Sequence, residues 1–197
     1  MKKKQLEMAL ERLEGFKNPS PEREQYATPA RVAADMLYLA SLRGDLDARV
    51  VCDLGTGTGM LAIGAALLGA RAIGVDIDSQ ALKVARANAD KMGTEVDFIH
   101  GDVSSIALRG IDTVIMNPPF GAQKASIGDR AFLLKAKEIA NVVYTLHNQG
   151  SEGFIRRFVE PCTVEEIYRI PFPLKRCFEF HSRDVKNIEV ELYRIVC

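Results

Sequence analysis

Residues 49–69 read RVVCDLGTGTGMLAIGAALLG, and this stretch decides the fold. Arg49 to Leu54 is a short apolar run, the pattern of a strand covered on both faces. Gly55, Gly57 and Gly59 then make a tight turn that lets a ligand come close to the backbone. From Thr58 to Gly69 the chain is rich in Leu and Ala, and a helix is expected. A dinucleotide-binding turn needs GxGxxG, but its sixth position here is Met60. Asp53, directly before the glycines, would repel a pyrophosphate and instead suits the ammonium group of an amino-acid moiety.

The same alternation continues on either side. RAIGVD (71–76), EVDFIHGD (95–102), DTVIMN (112–117), VVYTLH (142–147), VEEIYRI (164–170) and NIEVELYRIV (187–196) read as strands. SQALKVARANADKMG (79–93), residues 129–141 and GFIRRFVEP (153–161) read as helices between them. Upstream, Leu6, Leu10 and Leu13 have helical spacing up to Gly15. Thr28-Pro29 looks like a cap followed by proline at the first position of a helix through Val32, Met36 and Leu37 to Gly44. The fold class expected is α/β: a Rossmann-like, seven-stranded, mainly parallel sheet with helices on both faces and an antiparallel C-terminal edge. Residues 1–197 read as one domain, with N-terminal helices and a covering segment over 1–44 and the Rossmann-like core over 45–197.

The hydrophobic content of 47% is ordinary for a globular chain, and 26 basic residues balance 26 acidic ones. With no net charge, a wholesale electrostatic grip on nucleic acid is not written into the composition. Cys52, Cys162, Cys177 and Cys197 form no CxxC pair, so neither a zinc site nor a disulfide framework is expected. MKKK lacks an apolar continuation, and the chain reads as cytoplasmic and reduced, without a membrane segment.

Parallel sheets of this kind bind ligands beyond the carboxyl ends of their strands. Asp76 in GVDID lies about 20 residues past the glycine turn, where a carboxylate takes both hydroxyls of a ribose. Ile77 is counted with it, and Asp78 reads as the cap of the next helix. Asp102 in HGDV is placed to accept from the exocyclic amine of an adenine, with Val103 against the ring. Amine, ribose and adenine together describe S-adenosylmethionine rather than NAD. The fourth strand end is Asn117-Pro118-Pro119-Phe120-Gly121. Asn117 is held extended by the following proline, and the prolines carry no N–H. The turn therefore offers the Asn117 side-chain oxygen and the Pro118 carbonyl as acceptors for a planar –NH2 group, with Phe120 as a stacking face.

DLGTGTG, GVDID, GDV and NPPFG resemble the successive motifs of class I S-adenosylmethionine-dependent methyltransferases with an N/D-PP-F/Y loop. EQYATP (24–29) is similar to that superfamily's cofactor-covering motif, which implies that Gln25, Tyr26 and Thr28 close over the methionine end of the cofactor. Together with the FHxxxxxxIEVEL ending, the chain resembles the small archaeal and eukaryotic rRNA adenine-N6 methyltransferases related to methyltransferase-like protein 5. The resemblance implies an adenosine of small-subunit rRNA as target and, in the eukaryotic members, a small zinc-binding activator protein. It also implies catalytic roles for Asn117, Pro118 and Phe120, with Asn117 shared between cofactor and target. Thr56 and Thr58 stand where the family's turn can carry cysteines.

On the substrate side, Pro119, Gly121, Lys124 and His181 are candidates, and Lys175, Arg176, Arg183 and Lys186 make a late basic cluster. A solvated face explains that cluster equally well, and a lone histidine is more often structural than a ligand. Guanine-N2 and glutamine-amide methyltransferases also present planar –NH2 targets to an NPPF or NPPY loop, so the loop does not separate the three. A silent scaffold of the same fold has no reason to keep Asp53, Asp76, Asp102 and Asn117 together.

Overall fold

The computed structural model describes residues 1–17, 19, 20, 24–119, 128–175 and 185–197. The N-terminal half contains α1 (Lys3–Leu10), α2 (Ala30–Leu42), β1 (Val50–Leu54), α3 (Met60–Leu67), β2 (Arg71–Asp76), α4 (Ser79–Met92) and β3 (Val96–His100). β4 (Ile111–Met116), α5 (Gly128–Ile139), β5 (Ala140–Asn148), α6 (Glu152–Phe158), β6 (Thr163–Lys175) and β7 (Val185–Val196) follow. The strands form a seven-stranded sheet in the order β3-β2-β1-β4-β5-β7-β6. β1 to β5 run parallel, and β7 is antiparallel to both its neighbours. The chain builds outward from β1 to β3, then crosses back to β4. The switch point therefore lies between β1 and β4, where a crevice opens at the carboxyl ends.

Alternation along the strands sorts the core into two clusters. Val51, Ile115, Tyr144, Leu146, Phe172 and Leu192 face Leu6, Leu10, Leu37 and Leu61 from α1, α2 and α3. Cys52, Leu54, Val114, Met116, Val143 and Ile195 face Leu133 and Ala136 of α5 and Ile155 of α6. Both faces of β1 are thus covered, as a parallel strand flanked by helices on either side requires. α4 packs on β2 and β3 beside α3.

Several boundaries differ from the sequence reading. α1 ends at Leu10, before Leu13 and Gly15. α3 starts at Met60, because Thr58 and Gly59 still belong to the turn. α2 starts at Ala30 with Pro29 at the cap position and no side-chain cap bond, so Thr28 is not the expected cap. α5 ends at Ile139, and β5 takes over at Ala140. β6 runs on through Pro171 and Pro173 to Lys175; an outermost strand tolerates residues that cannot donate to a ladder.

One expectation is corrected outright. Cys162 and Cys197, read as unpaired thiols, form a disulfide. Cys162 precedes β6 and Cys197 follows β7, and the ladder pairs Thr163 with Val196. That register brings the two Cα atoms to 4.2 Å, a proximity that a separation of 35 residues does not reveal. Cys52 stays a buried free thiol, and Cys177 lies outside the described residues.

At the far end of the same hairpin the ladder outruns the sheet. β7 leaves β5 at Val190, yet it stays paired with β6 from Pro171↔Glu189 to Lys175↔Val185. A two-stranded ribbon of roughly 14 Å thus continues past β5, at the carboxyl end of the parallel strands. At the opposite end, Asp45 accepts from Tyr144 OH at 2.7 Å and from Arg194 Nε at 3.0 Å, while its carbonyl accepts from Thr113 Oγ1 at 2.8 Å. This network fastens the α2–β1 connection beneath β4, β5 and β7. Asp45→Ala should destabilise the fold by about 2 kcal/mol in denaturant unfolding, less than for a fully buried pair because Glu165 still neighbours Arg194. A change near zero would mean that solvent already screens the pair.

Candidate active site

Asp53 is the anchor of the site. It is 1% exposed at the end of β1, and one carboxylate oxygen, Oδ2, accepts from Thr56 Oγ1 at 2.7 Å and from the Ala62 N–H at 3.0 Å. These bonds tie the turn and the first turn of α3 to one strand end. Oδ1 is equally buried and has no hydrogen-bond partner. Burial pushes the Asp53 carboxyl up to about 7, the Thr56 and Ala62 bonds oppose that rise, and the nearby Asp76 charge adds to it. An unpartnered buried carboxylate oxygen fits the ammonium of a methionine moiety.

The turn itself is cramped. A Cβ on Gly55 would lie 2.8 Å from the Phe132 ring, and one on Gly57 would lie 2.8 Å from the Phe16 ring. Both glycines also have positive φ, +72° and +55°, which disfavours any side chain. Phe16 is held there by a residue the sequence reading missed. Asn88 of α4, 1% exposed, accepts from the Glu14 N–H at 2.9 Å and donates to the Glu14 and Thr58 carbonyls at 3.0 and 2.9 Å. Asn88 fills a regular helical position and Phe16 lies in a loop, so no local pattern marked either. Thr56, which stands where the family's turn can carry a cysteine, supports Asp53.

Asp76 accepts from the Gly57 N–H at 2.7 Å and from the Asp78 N–H at 2.8 Å, bracing the turn from the end of β2. Asp78 caps α4 as expected, accepting from the Gln80 and Ala81 N–H groups. Ile77, between them, is 53% exposed. Asp102 is exposed after β3, and the Ser104 hydroxyl and N–H, at 2.7 and 2.8 Å, hold its carboxyl below the usual range. Val103 turns into the core.

Gln25 and Thr28 mark a strap across the site. Gln25 Nε2 donates to Asp78 Oδ2, and its Oε1 accepts from the Ser20 N–H, both at 2.8 Å. Tyr26 between them is half-buried. At the other end of the strap, Asn117 Nδ2 donates to Thr28 Oγ1 at 2.9 Å. Asn117 Oδ1 is buried with no partner, like Asp53 Oδ1. Pro118 is buried and Pro119 half-buried. Asp53 pairs with Ile115, so Asn117, two residues on, rises from the same face of the sheet, roughly 8 Å away at Cα. Phe120, Gly121, Lys124, Arg176, His181 and Arg183 lie outside the described residues. Among the described residues, no group of three or more His, Cys, Asp or Glu could hold a metal ion. Nor is any helix among them long and apolar enough to cross a membrane.

Residues 33–147 match the family model described as methyltransferase small domain. The chain is 36% identical to the rRNA N(6)-adenosine-methyltransferase METTL5 of Danio rerio, over 98% of each protein. It is 33% identical to the Mettl5 protein of the same description from Drosophila melanogaster, over 98% of this chain and 96% of the relative. A crystal structure from Pyrococcus horikoshii superposes with a TM-score of 0.92 at 41% identity, covering 100% of this chain and 98% of that one.

The raised Asp53 carboxyl makes a prediction that needs no ligand. Its folded value of about 7 lies above the unfolded value of about 3.9. Its contribution to stability is therefore full below about pH 4 and lost as pH rises through 7. Asp53→Asn, which cannot titrate, should gain stability relative to the wild type as pH rises from 5 to 8 in denaturant unfolding. A difference that stays flat with pH would place the carboxylate in a solvated setting.

Proposed function

Because this chain belongs to the methyltransferase small domain family and shares its whole length with rRNA N(6)-adenosine methyltransferases, we propose that it methylates N6 of an adenosine in rRNA, with S-adenosylmethionine as donor. The observation that carries this reading is the buried, unpartnered Oδ1 of Asn117 beside a Pro-Pro turn that has no N–H to offer.

When bound, S-adenosylmethionine supplies an electrophilic methyl group on a sulfonium. Asp53 Oδ1 holds the ammonium of its methionine part, and Gly55, Gly57 and Gly59 let that part lie against the backbone. Asp76 takes the ribose hydroxyls; Ile77, Asp102 and Val103 receive the adenine; Gln25, Tyr26 and Thr28 belong to the strap that covers it. On the target side, Asn117 Oδ1 and the Pro118 carbonyl accept the two hydrogens of the adenine amine. The nitrogen lone pair is delocalised into the ring in the ground state. Hydrogen bonds to both hydrogens favour the pyramidal nitrogen of the transition state and so act where the barrier is. Phe120 stacks on the base, which must leave any helix it occupies to arrive there. Pro119, Gly121, Lys124 and His181 complete the substrate side.

Residues 1–197 act as one catalytic domain, since α1 and α2 share a core with β1 and β4. The β6–β7 ribbon, with Lys175 and Lys186 on its strands, stands at the catalytic end and suits phosphate contact. Family resemblance points to small-subunit rRNA in the cytoplasm and to a small zinc-binding activator protein. β3, an outer strand of the sheet, is the edge that such an activator would find open.

The test is methyl transfer from labelled S-adenosylmethionine to unmethylated ribosomal subunits and naked rRNA, followed by digestion and mass spectrometry. N6-methyladenosine is the expected product; methylguanosine or methylglutamine would replace the substrate. Asn117→Ala should lower kcat by about 10²-fold or more while S-adenosylhomocysteine affinity stays within about threefold. Affinity for that product should also rise with pH from 5.5 to 7.5, because the ammonium needs Asp53 ionised. Asp53→Asn should bind weakly at every pH in the range.

A further inference from the structure

We propose that Thr28 is the positioning residue of the transfer site: its hydroxyl holds the Asn117 side chain in place, with Oδ1 left for the target. This deepens the methyltransferase reading above and rests on it.

Three observations carry the assignment. Thr28 lies one residue before Pro29, which takes the cap position of α2, and is buried against the site. Its hydroxyl instead meets Asn117 Nδ2 at 2.9 Å, across 89 residues of sequence. The other amide atom, Oδ1, is buried without a partner. The terminal torsion of an asparagine is broad and nearly two-fold, so nothing intrinsic to Asn117 decides which atom faces the target. The Thr28 hydroxyl accepts from Nδ2 in this orientation and so fixes where the amide sits.

The hydroxyl is itself well held. Pro29 keeps Thr28 extended, and Val32, Ala33, Met36 and Leu37 bury the helix that follows. Gln25, three residues before, is fastened to Asp78 and Ser20. The strap is therefore tied to the cofactor side at Gln25 and to the target side at Thr28. If the amide turned over, Oδ1 could still accept from the Thr28 hydroxyl, but Nδ2 would point its hydrogens at those of an amine, so the target completes the choice. An amine bearing two hydrogens matches the observed orientation, and a ring oxygen does not.

Thr28→Val keeps the shape and removes the acceptor, while Thr28→Ser keeps the acceptor. We expect Thr28→Val to lower kcat about 30-fold or more, a loss several times larger than any in S-adenosylhomocysteine affinity. Thr28→Ser should recover most of the rate, and Thr28→Val should add little in an Asn117→Ala background. The Asn117 side-chain amide proton signals, assigned from Asn117→Ala, supply a readout independent of any RNA. One should be protected from exchange in the wild type and in Thr28→Ser but not in Thr28→Val. Unchanged rate and protection in Thr28→Val would overturn the assignment. So would a loss of cofactor affinity as large as the loss of rate, or a serine variant as poor as valine. If the wild-type product is a methylated guanine or glutamine amide, the adenine reading fails while these comparisons still decide Thr28, because each target presents a planar –NH2 group.

Discussion

The site depends on a single buried carboxylate. Asp53 must leave water at the end of β1, and a lone charge there is costly unless hydrogen bonds and a counter-charge meet it. Thr56 and Ala62 supply two of the bonds, and in doing so they fix the glycine turn to the start of α3. The remaining oxygen, Oδ1, is buried without a partner. Binding geometry and fold geometry are thus one problem, since the bonds that hold the turn also leave the carboxylate one donor short.

The same logic recurs at Asn117. There too the fold satisfies one side-chain atom, through Thr28, and leaves the other buried and unpaired. Buried polar atoms without partners are rare in folded proteins. Among the described residues the two recorded here are Asp53 Oδ1 and Asn117 Oδ1, on neighbouring strands and on the same face of the sheet. One seeks a cation and the other a hydrogen-bond donor. In the proposed function an ammonium meets the first and the target amine the second, while the methyl group comes from the sulfonium.

Much of this was legible in the sequence. The strand–turn–helix at 49–69, the carboxylates at the following strand ends and the Pro-Pro loop are local patterns, each set by residues a few positions apart. Prolines 171 and 173 misled the reading of β6, because whether a strand tolerates proline depends on its place in the sheet. Thr28 misled as a helix cap for a similar reason: its partner is 89 residues away. Asn88 and Phe16 carried no signal at all, since their role is to join the N-terminal segment to the glycine turn.

By itself the sequence determined the alternation of strand and helix, the glycine turn and which polar residues stand at each strand end. These follow from backbone sterics and hydrophobic periodicity, which act over a few residues. Only the tertiary structure decided which polar atoms are satisfied: the Thr28–Asn117 bond, the Asn88 bridge, the Asp45–Arg194 tie and the Cys162–Cys197 bond. Each needs two distant segments brought together by sheet order and register. A hydrogen bond or disulfide is a matter of a few ångströms, and in this fold that distance is set by the packing of the whole sheet.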